Sequence, residues 1–417
     1  MKPRVLAIGV LLFAACWLGG CASTLFNVRE GASDEQLYAS LFPYYAEYCA
    51  LSEIRKKPGS GVDIEGGGPG GHSVLYLNGV CRVRDAGYPE IALCEGGGAA
   101  GQGVGLSVNA HYRNAEWVAT EGRDFVFRGG LERGEPLTRA RYERTQAQAK
   151  AMGILDGVEF HPVVFKDKPA GMSERDYMYE VSVATDYATG FGRDRYCARV
   201  PLDRGKMRGV VAYLNALQEP YRTGQAEFHW NVLRNNCAHT THNALAAVGL
   251  WPEWPTERFW LVAAFDFPVP KNEFVNLMRR INDMPVSDPA ALYGDEVARS
   301  ALLRQDWIAT RPGGLAEAEQ ALQRNEMYDT RLRLIFYDEP MFGHYQQRFD
   351  AIFTEPRYTD LRSNLAYFLG LYRNILGERK PAPAAAAASF YGRYYANIDA
   401  EKAWLERTLA VLPSASR

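Results

Sequence analysis

The residue best placed for covalent chemistry is a cysteine at the start of a predicted helix. Asn235 or Asn236 can cap a helix that begins near Cys237 and ends at Gly249. A thiolate in the first turn of a helix is stabilised by unpaired backbone N–H groups and by the helix dipole, which lower the thiol pKa. The same N–H groups can form an oxyanion hole. Cys237 is therefore the candidate nucleophile.

A thiol nucleophile needs a base, which usually comes from a distant part of the sequence. His72 opens an alternating segment, residues 72–77, directly after a glycine-rich loop, so its side chain can project into a cleft. We take His72 as the candidate base and Glu90, on the next predicted strand, as the candidate orienting carboxylate. His111 is a weaker rival for the base or the third residue.

These segments resemble a known family. Gly71-His72-Ser73-Val74-Leu75-Tyr76-Leu77, followed much later by Asn236-Cys237-Ala238-His239, is similar to the lecithin:retinol acyltransferase-like branch of the permuted papain-like hydrolases. The resemblance implies that Cys237 is the nucleophile, that His72 is the base, and that Asn236 and His239 are motif residues. It also implies a thioester acyl-enzyme. The chain departs from the family pattern at Ala238, where the motif has Glu, and near Arg84, where the family has a second histidine.

Simpler interpretations of these residues stay open. Cys237 can be a buried structural cysteine or a disulfide partner, and His72 can be a surface or capping histidine after a flexible loop. His229, Cys237, His239 and His242 lie within 14 positions and suggest zinc, but their spacing matches no standard zinc pattern. The glycine-rich segments match neither a Walker loop nor a complete dinucleotide fingerprint. We therefore expect no metal and no cofactor.

The N-terminus predicts export and lipid anchoring. Residues 1–20 read as a signal peptide, with a short basic start and an apolar run too short to cross a bilayer comfortably. Leu18-Gly19-Gly20-Cys21 resembles the lipobox of bacterial lipoproteins, which implies that Cys21 carries lipid. Ala22 stands where the family pattern places Asp in lipoproteins retained at the inner membrane. We therefore expect an outer-membrane protein, lipid-anchored on the periplasmic side.

Composition limits the partners and the cysteine pairing. Removal of the signal peptide leaves 45 basic and 49 acidic residues, a formal charge of −4, so nucleic acid is not an expected partner. Five cysteines remain for an oxidising compartment once Cys21 is lipidated, which allows at most two internal disulfides and leaves one thiol over. The five are Cys49, Cys81, Cys94, Cys197 and Cys237, and the count leaves open which of them is free or paired between molecules.

The element pattern predicts an α+β protein: a permuted papain-like domain with a mainly antiparallel sheet, followed by a mostly helical C-terminal domain. We expect a tether and short helix over residues 21–60, the papain-like domain over 61–252 and the helical domain over 253–417. Within these parts we predict a helix through Leu37–Tyr48, strands at Asp124–Phe127 and Tyr177–Ala184, and a helix at Gly314–Arg324.

Taken together, the sequence predicts a membrane-anchored cysteine hydrolase or acyltransferase. Its expected partners are membrane lipid, through Cys21, and a substrate from peptidoglycan or phospholipid, namely cell-wall peptide amides or lipid acyl esters. The alternative is a non-catalytic envelope lipoprotein with a binding or scaffolding role.

Overall fold

The structure of the chain, a computed structural model, describes residues 34–62, 65–66, 71–232, 234–254, 269–330 and 343–412. Cys21 and the predicted signal peptide lie outside these residues. Helices and strands alternate irregularly along the described chain. The strands are β1 (Tyr44–Leu51), β2 (Ile54–Arg55), β3 (Glu65–Gly66), β4 (His72–Asn78), β5 (Val80–Arg82), β6 (Ile91–Leu93), β7 (Gly103–Ser107), β8 (Val118–Glu121), β9 (Arg195–Leu202) and β10 (Leu315–Glu319).

The α-helices surround the strands and dominate the last third of the described chain. They are α1 (Asp34–Leu41), α2 (Arg123–Arg128), α3 (Arg139–Ala151), α4 (Glu174–Ser182), α5 (Arg204–Arg222), α6 (Cys237–Ala246), α7 (Pro270–Asn282), α8 (Pro289–Gly294), α9 (Glu296–Gln305), α10 (Tyr345–Thr354), α11 (Pro356–Thr359), α12 (Leu361–Gly377) and α13 (Ala388–Val411).

A six-stranded sheet forms the centre of the molecule, in the order β10-β9-β1-β4-β7-β8. Every neighbouring pair in it is antiparallel. This arrangement confirms the predicted α+β class and the antiparallel sheet. The sheet extends beyond the predicted 61–252 segment at both ends, because β1 lies before that segment and β10 lies after it.

The sheet is buried on both faces. Side chains alternate along a strand, so Val74 and Tyr76 of β4 point to one face while Ser73, Leu75 and Leu77 point to the other. The first group packs in one core with α2, α12 and α13, and we call that side the α2 face. The second group packs in another core with α5, α6 and α7, and we call that side the α6 face.

Two disulfides tie the sheet region together. Cys49 of β1 is bonded to Cys197 of β9, and Cys81 of β5 is bonded to Cys94. The free cysteine among the described residues is Cys237. The sequence allowed two disulfides and one leftover thiol, and this pairing agrees with that count.

A buried ion-pair cluster joins β1, β9, β10 and α2 on the α2 face. Glu47 of β1 accepts two hydrogen bonds from Arg123 of α2, both 2.8 Å long. Arg123 also pairs with Glu317 of β10, as does Arg199 of β9. Burial alone would raise the pKa of Glu47, but Arg123 and Arg199 lower it to about 2. The carboxylate is therefore ionised and fully paired inside the protein.

Two predicted elements on the N-terminal side fold differently. The predicted helix through Leu37–Tyr48 stops at Leu41, and residues 44–51 form the central strand β1 instead. All eight residues of β1 are buried, so the strand lacks the polar alternation that identifies a half-exposed strand. The predicted strand at Asp124–Phe127 is helix α2, which ends at Gly129 in the left-handed conformation (φ 60°).

Two further segments exchange helix and strand. The predicted strand at Tyr177–Ala184 is helix α4, which begins after Ser173, whose side chain accepts a hydrogen bond from the Asp176 N–H. The predicted helix at Gly314–Arg324 contains strand β10, which pairs with β9. The Leu-Ala-Glu-Ala-Glu sequence of β10 favours a helix by local propensity, and pairing at the sheet edge overrides that preference.

Candidate active site

The candidate nucleophile lies where the sequence predicted it, at the first residue of helix α6. Asn236 is the N-cap: its side-chain oxygen accepts hydrogen bonds from the N–H groups of Ala238 (2.8 Å) and His239 (3.2 Å). Cys237 is buried, with 8% of its surface exposed, and α6 packs against β4. The helix start therefore holds a reduced thiol against β4, one of the two central strands of the sheet.

The thiol lies against the beginning of β4. Burial raises the pKa of Cys237, while the hydroxyl and N–H of Ser73, the N–H of Ala238 and the charge of Arg193 act in the opposite direction. The Ser73 hydroxyl is fully buried and makes no hydrogen bond of ordinary geometry. In the resting protein the thiol is therefore protonated, and groups that stabilise its anion already surround it.

The candidate base is the first residue of β4 and takes part in a hydrogen-bonded chain. His72 Nε2 lies 3.0 Å from Ser107 Oγ, and that hydroxyl donates to Asp186 Oδ1 at 2.8 Å. Because the hydroxyl proton goes to Asp186, Nε2 is the donor to Ser107. Asn109 also donates to Asp186, at 3.1 Å. Burial, followed by the charge of Arg193, lowers the pKa of His72 to about 3, so the imidazole is neutral.

Strand alternation separates the thiol from the imidazole. Ser73, which contacts Cys237, points to the α6 face, whereas His72 pairs across the sheet with Leu51 of the α2 face. The imidazole is hydrogen-bonded to Ser107 and the thiol packs against Ser73, so the two groups do not form the direct pair expected from the sequence. Both nevertheless lie at the same end of the sheet.

A buried arginine at this end of the sheet acts on both groups. Arg193 donates from Nε to the Ala184 carbonyl at 2.9 Å and from Nη1 to the Ser52 carbonyl. Its charge favours the thiolate of Cys237 and disfavours protonation of His72. Burial lowers the pKa of Arg193 to about 10, so the guanidinium remains charged at neutral pH. No sequence motif marks Arg193, because its influence depends on its charge lying close to Cys237 and His72 in the folded protein.

Glu90 is not brought to His72. It is exposed, lies just before β6 in a separate two-stranded sheet, and its charge acts on Arg222 instead. Ser107 and Asp186 occupy the position that the sequence assigned to Glu90 beside the imidazole. These two residues are 79 positions apart and carry no shared motif, so only the fold reveals them.

The other histidines have their own contacts. His239 packs edge-on against Trp254, with ring centroids 5.6 Å apart. His242 bonds through Nδ1 to Glu273 (2.7 Å) and through Nε2 to the Pro252 carbonyl (2.8 Å). Since both nitrogens of His242 are engaged, this ring cannot serve as a zinc ligand in the arrangement described. His111 lies beside Phe160.

The buried carboxyl of Glu116 is hydrogen-bonded to helix α6. Glu116 accepts a hydrogen bond from Thr240 Oγ1 at 2.7 Å, one turn along α6 from Cys237. Burial raises the pKa of Glu116 to about 7. No sequence motif marks Glu116, because its role depends on burial against a helix more than a hundred positions away.

One group of described residues gathers possible metal-ligand atoms: Glu47, Cys49 and Cys197. Both sulfurs are committed to a disulfide and Glu47 is paired with Arg123, so this group is not a metal site. Among the described helices, none is both long and apolar enough to cross a membrane.

Comparison with known proteins adds no relative: no family model, no curated protein and no solved structure matches this chain.

Proposed function

We propose that this protein is a lipid-anchored cysteine hydrolase or acyltransferase, of the permuted papain-like kind, on the periplasmic side of the outer membrane. The observation that supports this proposal best is the surroundings of Cys237. A reduced cysteine begins a capped helix, and the Ala238 N–H, the Ser73 hydroxyl and the Arg193 charge all favour its anion. A purely structural cysteine does not need such groups.

In the proposed reaction, the Cys237 sulfur attacks the carbonyl carbon of an ester or amide. The carbon–sulfur bond forms as the bond to the alcohol or amine breaks, and the leaving group takes the thiol proton by way of His72. The Ser73 hydroxyl and the helix N-terminus stabilise the negative charge that develops on sulfur and oxygen. Water or an acceptor alcohol or amine then releases the acyl group from the thioester.

For His72 to carry the proton, its ring must leave Ser107 and turn around the end of β4. His72 is the first residue of the strand and follows Gly71, which has a positive φ of 81°. Its side chain therefore lies at the strand end, and the proposal requires the ring to reach around that end to the α6 face. Candidate substrates are cell-wall peptide amides and acyl esters of membrane lipids.

One observation favours the alternative, a non-catalytic envelope lipoprotein. The His72–Ser107–Asp186 chain holds the neutral imidazole on the α2 face, while the thiol is 8% exposed on the other. In that case the site residues are structural and the surface of the protein binds or scaffolds a partner.

The test combines labelling with turnover. We expect iodoacetamide to alkylate Cys237 in the exported protein, and Cys237→Ala to abolish release of acyl groups from phospholipid vesicles or of peptides from cell-wall fragments. His72→Gln is expected to lower turnover strongly, whereas the matched control His344→Gln, at an exposed histidine away from the site, leaves it unchanged. Equal turnover by the unchanged protein and Cys237→Ala would exclude the proposed mechanism.

A further inference from the structure

Five large hydrophobic side chains are exposed among the described residues, and three of them lie on two neighbouring segments. Val163 is 59% exposed, Trp230 is 42% exposed and Val232 is 54% exposed. The other two are on the C-terminal helices α12 and α13. We call Val163, Trp230 and Val232 the apolar patch.

Direct contacts hold the two segments of the patch together. His161 Nε2 donates to the Phe228 carbonyl at 2.8 Å. The rings of His161 and His229 stack with their centroids 5.1 Å apart. These contacts place the segment that carries Val163 beside the loop that carries Trp230.

The apolar patch borders the start of the nucleophile helix. The side-chain amide of Asn236 donates to the Val232 carbonyl at 2.8 Å, while its oxygen caps α6 next to Cys237. One residue therefore connects the patch to the candidate nucleophile. A surface that binds the patch would lie at the same side of the molecule as the thiol.

The charges around the patch favour an anionic partner. Four basic residues lie on or beside the two segments, Arg113, Lys166, Lys168 and Arg234, against three acidic ones, Glu159, Asp167 and Glu227. Arg113 pairs with both Glu159 and Glu227, so the local excess is one positive charge. Lys166 and Arg234 are exposed, whereas the Lys168 ammonium donates to the Met172 carbonyl. Tryptophan is favoured at membrane–water interfaces, and exposed basic residues are attracted to anionic lipid.

We propose that the apolar patch inserts into the surface of an anionic lipid bilayer, and so turns the start of α6 towards the membrane. Membrane contact by the patch does not depend on catalysis. Its consequence for substrate choice, acyl esters of membrane lipids over cell-wall peptides, rests on the proposed function. The occupant is a lipid surface, chosen because the patch combines an interfacial aromatic residue with an excess of basic residues.

The test uses the full-length exported protein with vesicles of phosphatidylglycerol and phosphatidylethanolamine that carry brominated acyl chains, which quench tryptophan in contact with them. We expect quenching of part of the tryptophan emission, and loss of that part in Trp230→Phe. The matched control Trp404→Phe, at a partly buried residue of α13, should keep it. Equal quenching of the unchanged protein and Trp230→Phe would overturn the proposal.

Two further arms separate the competing outcomes. Equal quenching on purely zwitterionic phosphatidylcholine vesicles would overturn the preference for anionic lipid. A dimer without vesicles that Trp230→Ser dissociates, measured by sedimentation, would assign the patch to a second copy of the chain and also overturn the proposal. Loss of turnover in Cys237→Ala does not enter these measurements, so failure of the catalytic proposal and failure of the membrane proposal are distinguishable.

Discussion

At the scale of single residues, the site combines a protonated thiol with a neutral imidazole. Burial keeps the thiol of Cys237 protonated and lowers the pKa of His72 to about 3, and Arg193 influences both groups. Attack on a carbonyl requires the thiol to lose its proton to a base. In the proposed reaction, the thiol proton therefore has to move to a base when a substrate brings its carbonyl to the start of α6.

The low pKa of His72 predicts how stability depends on pH. Between its folded value of about 3 and its ordinary value of 6.5, the unfolded chain binds a proton that the folded protein does not bind. The contribution of this residue is therefore fully present above pH 6.5 and is lost as the pH falls towards 3. We expect a loss of about 2 kcal/mol between pH 6.5 and 5.

The measurement is the free energy of unfolding in urea at several pH values, for the unchanged protein and for His72→Gln. Glu116, with its pKa raised to about 7, acts in the opposite direction between pH 4.5 and 7, so the difference between the two proteins is the quantity to compare. The expected difference shrinks as the pH falls. Parallel pH profiles would contradict a neutral buried imidazole.

At the scale of elements, the site depends on the contact between helix α6 and strand β4. The Asn236 cap fixes where α6 begins, and the packing of that helix on β4 places Cys237 beside Ser73. The register of β4 against β1 then decides that His72 faces the other core. Because side chains alternate along a strand, a shift of one residue in that register would exchange the two faces.

The cap predicts a measurable loss of stability. Asn236→Ala removes the oxygen that accepts from two N–H groups of α6, and we expect the free energy of unfolding to fall by about 1 kcal/mol. Asn236→Asp, which keeps an acceptor oxygen, is the matched control and should lose less. Urea unfolding at neutral pH measures both, and equal losses would show that the cap is not the cause.

At the scale of the whole molecule, residues from both ends of the described chain complete one structure. Strand β1, near the start of the described chain, is one of the two central strands of the sheet, and β10 is an edge strand. Helices α12 and α13 pack in the same core as α2. Arg123 of α2 joins α1, β1 and β10, because it pairs with Glu35, Glu47 and Glu317.

Loss of this arginine should weaken the entire fold. Arg123→Ala leaves the fully buried Glu47 with an incomplete set of partners, and we expect a cost of about 3 kcal/mol in the free energy of unfolding. Arg84→Ala removes an exposed partner of Glu121 and should cost less than about 1 kcal/mol. Chemical denaturation compares the two. Similar small losses would mean that water reaches the Glu47 carboxylate.

Several features of the site were predictable because local sequence determines them. An asparagine before a helix start supplies the cap of α6, and the predicted start agrees with the structure. The odd number of cysteines required a leftover thiol, although the count did not say which. The α+β class followed from short strands mixed with few crossover helices, and the structure agrees with it.

Only the tertiary structure decided which residues from distant parts of the sequence contact each other. Strand β1 resembled a helix locally, because a central strand buried on both faces shows no polar alternation. Disulfide pairing left Cys237 reduced, and the strand register put Ser73 rather than His72 against it. Asp186 reaches the imidazole of His72 through the Ser107 hydroxyl, and the charge of Arg193 acts on both His72 and Cys237. Local sequence fixes where a helix begins, whereas the partners of a buried group depend on which strands meet.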